Sequence, residues 1–168
     1  LSMMKKNIII ILSSIFVYSC GIYSFTGASI STEATTVSVA YFTTTATNAP
    51  SSLQQTITEG LKDLIISETN LNLTKIQGDL SFSGEITKYQ INPIAIKANE
   101  TAEKNRLIIN IKVKHKNYIN QEQNFESNFS RYRDFNSSQN LTDVEAILIE
   151  EITKELLEDV FNKTFVNW

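Results

Sequence analysis

The stretch LIINIKVKHK, residues 107–116, decides the fold class of this chain. Its apolar side chains recur at every second position from Leu107 to Val113, and Asn110 and three lysines occupy the alternate positions from 110 to 116. A period of two is typical of a β-strand that has one face on a core and the other in water. The chain is therefore expected to contain a β-sheet with one buried face and one solvent-exposed face.

Two further alternations extend this sheet. In residues 80–87, apolar residues and Gly84 alternate with Ser, Glu and Thr, and in residues 125–130 two phenylalanines alternate with polar residues. We expect three antiparallel strands, joined by loops at residues 93–105 and 117–120. Residues 37–42, which are β-branched and aromatic, predict a first strand, followed by a loop at residues 43–50. Residues 73–76 are a candidate for a short additional strand.

The segment after the first strand has the period of a helix. Its apolar residues recur at spacings of three and four, which places them on one helical face. Ser52 is expected to cap this helix, and Gly60 inside it indicates a close approach to the sheet. The apolar residues are Leu53, Ile57, Leu61, Leu64 and Ile65.

A second helix is predicted over residues 142–165. Thr142 and Glu145 have the spacing of a capping box. The acidic side is expected to face solvent, with Glu150–Lys154 and Asp159–Lys163 as pairs four residues apart. The order of elements predicts an α+β fold, a two-layer sandwich of two helices on a mostly antiparallel sheet of four strands, or five with residues 73–76. The apolar stripe comprises Val144, Ile147, Leu148, Ile152, Leu156, Val160 and Phe161; the acidic residues are Glu150, Glu151, Glu155, Glu158 and Asp159.

The first twenty residues have the anatomy of an export signal. Lys5 and Lys6 precede an apolar run over residues 8–17, which is too short to cross a bilayer that needs about 20 residues. The run ends before Cys20, in a sequence that resembles a bacterial lipobox, so residues 1–19 are expected to be a lipoprotein signal peptide and Cys20 the site of lipidation. Simple secretion, an uncleaved anchor helix or a buried thiol at Cys20 are the alternatives.

The rest of the chain divides into a tether and one domain. Residues 20–36, rich in Ser, Thr and Gly, are expected to form the lipidated N-terminus and tether, and residues 37–168 a single domain. Removing the two lysines of the signal changes the net charge from −3 to about −5, which disfavours a nucleic-acid partner. Once Cys20 is modified, no thiol remains for a disulfide.

The sequence contains no constellation that points to catalysis. His115 is the only histidine, so a zinc site of the usual kind is not expected, and a structural or solvent-edge role is predicted for it. No serine lies in a G-x-S-x-G elbow, and no glycine-rich phosphate loop is present. We therefore predict no catalytic residue, no metal and no cofactor other than the lipid on Cys20.

Several motifs, taken in order, resemble the LptE family of lipopolysaccharide-assembly lipoproteins. Cys20-Gly21 with the YSFTG of residues 23–27 and the VSVAYF of residues 37–42 resemble the mature start of that family. Residues 105–107, 125–135 and 158–162 resemble its Bacteroidetes branch. The resemblance implies a non-enzymatic lipoprotein, lipid-anchored in the outer membrane, facing the periplasm and lying in the lumen of the LptD β-barrel. There it would support barrel assembly and lipopolysaccharide transport to the outer leaflet.

Five basic residues are candidates for contact with lipopolysaccharide phosphates. Three lysines share one face of a strand, and two arginines lie on the next strand; guanidinium groups suit bidentate phosphate contact. The alternative is that the lysines solvate the sheet and pair across strands with Glu122 or Glu126. The candidates are Lys112, Lys114, Lys116, Arg131 and Arg133.

A second function class has the same architecture. The domain could be a periplasm-facing lipoprotein subunit of another envelope complex, or a domain that binds a small amphiphile. An exposed aromatic patch including Tyr89, Tyr132 or Trp168 would be compatible with either.

Overall fold

The computed structural model describes residues 33–94 and 104–166, and the predicted signal peptide, Cys20, most of the tether and Trp168 lie outside them. Within the described ranges, two α-helices pack on one mixed sheet, and neither helix is long and apolar enough to span a membrane. The predicted α+β class is confirmed. The elements are β1 (Thr36–Val39), β2 (Thr43–Thr44), α1 (Ser51–Glu68), β3 (Asn72–Leu73), β4 (Leu80–Ile94), β5 (Lys104–Asn117), a 3₁₀ turn (Gln121–Gln123), β6 (Phe125–Asn136) and α2 (Leu141–Phe165).

The sheet is mixed, and it has more strands than the four or five expected. Its order is β3-β1-β4-β5-β6, and the short β2 pairs with β4. The β4-β5-β6 part is antiparallel as predicted, but β1 runs parallel to both β3 and β4. The connection through α1 returns the chain to the end of the sheet where β1 began, so β3 runs parallel to β1, and residues 74–79 return the chain once more before β4.

The long strand β4 changes which residues face the core partway along its length. Ile86 pairs with Ile111 and Lys88 with Asn110, so Thr87 is an extra residue at a bulge. Before the bulge, even-numbered residues face inward; after it, odd-numbered residues such as Tyr89 do. A strict period of two ends at a bulge, which explains why only residues 80–87 were predicted as strand and residues 93–105 as loop.

Helix α1 packs on the sheet with the predicted face. Leu53, Ile57, Leu61 and Ile65 are fully buried. The predicted cap is wrong, because Pro50 occupies the N-cap position and the helix begins at Ser51 without a side-chain cap. Proline is suited to this start, since it has no N–H group to leave unpaired and its φ angle is already near the helical value.

Gly60 allows close helix packing, although not against the sheet as expected. A Cβ atom on Gly60 would lie 2.7 Å from Cδ1 of Leu157 on α2. The prediction identified the close approach but assigned it to the wrong partner, because only the tertiary structure shows which element covers that face of α1.

Helix α2 confirms the predicted span and corrects two details. Asn140 is the N-cap residue and makes no side-chain cap hydrogen bond, so Thr142 and Glu145 do not form a capping box. Glu145 instead accepts a hydrogen bond from the Tyr89 hydroxyl of β4. Ile147, expected in the apolar stripe, is 59% exposed. Because α2 packs against both the sheet and α1, its buried face is wider than a single stripe and also includes Ile149, Thr153 and Leu157.

The first strand is shorter than the predicted residues 37–42. It ends at Val39, and Phe42 is fully buried under α1, where its N–H donates to the Thr58 hydroxyl at 3.0 Å. Both residues are buried, so this bond satisfies the backbone N–H of Phe42, which the core would otherwise leave unpaired.

Candidate functional site

Both helices pack on one face of the sheet, and no described element covers the other face of β4, β5 and β6. We call this second surface the open face. It is polar, with serine, asparagine and charged side chains at alternate positions of each strand. On β5 and β6 it consists of Arg106, Ile108, Asn110, Lys112, Lys114, Lys116, Glu126, Asn128, Ser130, Tyr132 and Asp134.

The three candidate lysines lie together on the open face. Lys112 forms an ion pair with Glu126 on β6, and Lys114 Nζ lies 4.0 Å from Glu126 Oε2. The hydrogen bond to Glu126 raises the pKa of Lys112, and the same bond lowers the pKa of Glu126. The pairing with Glu126 that formed the alternative interpretation is therefore present. Lys116 has no carboxylate within 4 Å in the part of the chain that the structure describes.

The two candidate arginines lie on the opposite face, against α2. Arg131 is opposite Ile109 and Arg133 opposite Leu107 in the β5–β6 register, and directly paired residues share a face. Leu107 and Ile109 are fully buried beneath the helices. The candidate lysines and arginines therefore lie on opposite faces of the sheet, because the positions of the arginines along β6 place them on the helix side.

Each arginine binds carboxylates of α2. Arg131 donates from Nε and Nη2 to Asp159 at 2.7 and 2.6 Å, and Arg133 donates from Nε to Glu151 at 2.8 Å and also binds Glu155. These hydrogen bonds raise the pKa of both arginines, and the bond from Arg133 lowers the pKa of Glu155.

The acidic residues of α2 are therefore only partly a solvated surface. Glu151, Glu155 and Asp159 follow each other at intervals of four, which puts them in one line along the helix. Asp159 binds an arginine of β6 instead of being committed to Lys163 as predicted. The sequence contains a signal for this pairing, because acidic residues four apart on a helix and arginines two apart on a strand form two matching rows.

A second charged cluster on the open face was missed. Arg106 donates from Nε and Nη2 to Asp134 at 2.7 and 2.9 Å, and its guanidinium carbon lies 3.8 Å from the centre of the Tyr132 ring. Tyr132 is 50% exposed, whereas Tyr89 is buried on the helix side, so the two tyrosines do not form a shared aromatic patch. Arginine and tyrosine in such an arrangement are typical of protein–protein contacts.

His115 has a structural environment. It is 2% exposed, and its ring lies 4.6 Å from that of Phe82 and 5.3 Å from that of Phe125, measured between ring centres. Burial lowers its pKa to about 4, so the ring is neutral at pH 7. Within residues 33–94 and 104–166, no group of three or more His, Cys, Asp or Glu side chains is arranged to hold a metal ion.

Solved structures with this fold include a hypothetical protein, CT253, from Chlamydia trachomatis. It is 10% identical, with a TM-score of 0.51, over 80% of this chain and 99% of its own. Lipoprotein B from Nitrosomonas europaea is 13% identical, with a TM-score of 0.49, over 76% of this chain and 80% of its own. At these identities, the first similarity shows the fold alone. A comparison with curated proteins gives no significant match.

The family assignment rests on the sequence itself. The sequence model of the family LptE, "Lipopolysaccharide-assembly", matches residues 34–164, which run from just before β1 to the last turn of α2. Proteins of this family are non-enzymatic, which confirms the prediction that no reaction is catalysed. The chain belongs to the LptE family of lipopolysaccharide-assembly lipoproteins.

Proposed function

We propose that this protein is an outer-membrane lipoprotein that lies in the lumen of an LptD-type β-barrel, supports assembly of that barrel and assists lipopolysaccharide transport to the outer leaflet. The observation that carries the proposal is the LptE family match over residues 34–164. Its membership of the Bacteroidetes branch remains a prediction from the motifs.

The open face supports a place inside a barrel. The interior of an outer-membrane barrel is polar, whereas its outside is apolar. The uncovered face of this sheet carries paired charges and hydrogen-bonded amides, among them the bond from the Ser130 hydroxyl to the Asn110 side chain at 2.7 Å. A polar face of this kind would lie against a polar lumen without the cost of burying unpaired groups.

Lipid on Cys20 would provide the anchor. Each buried methylene contributes about 0.8 kcal/mol, so two or more acyl chains hold a protein on a membrane for long periods. Gly21 and Ile22 follow the cysteine, and the absence of Asp at these positions favours the outer membrane in the lipoproteins that this signal resembles. Intact-mass analysis should find a chain that begins at an acylated Cys20.

Lipopolysaccharide phosphates would bind near the lysines of the open face. A shallow cavity of about 420 Å³ is lined by Tyr41, Lys112, Lys114 and Glu126, among others. Lys116, without a carboxylate partner among the described residues, adds an uncompensated charge. Because Arg131 and Arg133 already bind carboxylates on the other face, the proposal is restricted to the lysines.

Conditional depletion tests the function in the cell. Loss of the protein should reduce lipopolysaccharide at the cell surface and leave the barrel partner misassembled, and the wild-type chain should restore both. Normal surface lipopolysaccharide and a normally assembled barrel after depletion would contradict the proposal and favour a subunit of another envelope complex.

A further inference from the structure

A groove of about 740 Å³ lies along the β1 edge of the sheet, next to the cavity with the open-face lysines, with which it shares Ala40 and Ser83. One wall is α1, through Glu59 and Lys62, and the other is the segment that follows β3, which includes Ile76. Ile76 is 78% exposed, and Leu73, the last residue of β3, is 39% exposed. The groove thus combines apolar side chains with a sheet edge.

Among the described residues, no strand pairs with this edge beyond Val37. Strand β3 is two residues long, and the last backbone bond on that side is from Thr74 N–H to Val37 C=O at 2.9 Å. On the other side, Ala40 N–H donates to Phe82 C=O at 2.9 Å. Because successive residues of a strand direct their backbone groups to opposite sides, the N–H and C=O of Val39 point into the groove. An extended polypeptide would satisfy both groups.

We infer that the groove is occupied by the chain's own N-terminal segment, residues 22–26. These residues include Ile22, Tyr23 and Phe25, and no charged residue lies between Cys20 and Glu33. Three large apolar side chains within five residues are unusual in a tether that only has to span a distance. On the α1 wall, Lys62 already binds Glu59 at 2.8 Å, so this wall needs no charged partner; Lys75 is the other charged residue of the lining.

The chain length between the segment and the described domain is sufficient. Val39 lies four residues beyond Thr35 along the edge, a distance of about 13 Å at 3.3 Å per residue. Residues 27–32 span up to about 20 Å when extended. The segment would run antiparallel to β1, and the lipid on Cys20 would then leave the domain near the end of the groove, which restricts the orientation of the domain on the membrane.

Cysteine labelling tests the inference in the full-length chain. Cys20 is the only cysteine, and acylation blocks it, so Ile76→Cys introduces a single reactive thiol. Replacing Tyr23 and Phe25 by serine should increase maleimide labelling at position 76 by about fivefold, as expected when roughly 1 kcal/mol of protection is lost. The same replacements should leave labelling of Ile147→Cys unchanged, since that exposed residue of α2 lies outside the groove.

Disulfide trapping gives a second readout. Oxidation should cross-link Phe25→Cys with Ile76→Cys, and should not cross-link Phe25→Cys with Ile147→Cys. Equal labelling at position 76 with and without the aromatic residues would overturn the inference, as would equal cross-linking of the two pairs. Protection of position 76 that depends on other membrane proteins and not on Tyr23 and Phe25 would also overturn it and assign the groove to a partner. Neither readout depends on the proposed barrel partnership.

Discussion

Arg131 on the edge strand β6 donates two hydrogen bonds to Asp159 on α2, from Nε at 2.7 Å and from Nη2 at 2.6 Å. Two residues along β6, Arg133 makes the corresponding contacts with Glu151 and Glu155. The arginines thus bind β6, the last strand of the described sheet, to the C-terminal helix.

Replacing Arg133 by glutamine should lower the free energy of unfolding by about 1 kcal/mol, because the pairs are partly exposed and two carboxylates four residues apart would be left to repel each other. Urea unfolding at low salt measures the loss, which should shrink at high salt as screening increases. Lys154→Gln, on the solvent side of α2, is the control and should change little. A loss of the same size in both variants would show that the arginine row has no special role.

The buried His115 should make the protein less stable in mild acid. Its pKa in the folded state, lowered to about 4 by burial, is below the unfolded value of 6.5. The neutral ring is therefore favoured by the fold, and its stability contribution is complete above pH 6.5 and is lost as the pH falls towards 4. The decrease is on the order of 3 kcal/mol.

His115→Phe should remove this dependence. Nδ1 of His115 has no hydrogen-bond partner within the described residues, and the ring lies between Phe82 and Phe125, so phenylalanine keeps the ring packing and loses only the hydrogen bond to the Ser81 backbone. Urea titrations at pH 5 and 7.5 should give similar free energies for the variant and different ones for the wild type. Carboxylates whose pKa is lowered by the fold, such as Glu126 and Glu155, leave a small pH dependence, but a difference in the variant as large as that of the wild type would contradict the assignment.

Gly84 should tolerate no side chain. A Cβ atom at this position would lie 2.1 Å from Cε1 of Phe42, which is fully buried. Gly84→Ala should therefore lower the free energy of unfolding by about 1–3 kcal/mol through overpacking. The double variant with Phe42→Leu should recover part of the loss in the same denaturation measurement. A double variant whose loss equals the sum of the two single losses would show that the ring is not the obstacle.

Reversing the charge of Lys112 and Lys114 to glutamate should weaken the binding of purified lipopolysaccharide, because both ammonium groups line the open-face cavity. Surface plasmon resonance or fluorescence titration measures the affinity, and circular dichroism checks the fold. The matched control reverses Lys62 and Lys154, which lie on the helices. Unchanged affinity in the first variant would remove the phosphate-binding role of these lysines.

The features predicted from the sequence are those that depend on local spacing. The period of two in residues 107–116 predicted β5 and its solvent-exposed face, and the apolar spacings of three and four predicted both helices. The family resemblance was recognisable from motifs dispersed over the chain, and the family match over residues 34–164 confirms it.

The features that were missed depend on contacts between distant segments. Nothing local shows that β1 pairs parallel to β4, since that depends on where the chain returns after α1. The alternation in residues 125–130 predicts only the first half of β6, whose period of two continues to the buried Phe135, so the face occupied by Arg131 and Arg133 was not predicted. The predicted helix caps were wrong because the N-cap residues are Pro50 and Asn140, and neither makes the side-chain hydrogen bond that the motifs imply.

Affinity purification of the tagged full-length protein from detergent-solubilised outer membranes tests the central claim most directly. The account predicts that a large LptD-type β-barrel is recovered in a fixed ratio with the lipoprotein. It also predicts that a photo-cross-linker at Asn128 on the open face captures the barrel more efficiently than one at Lys154 on α2. Recovery of the lipoprotein without a barrel would contradict the account.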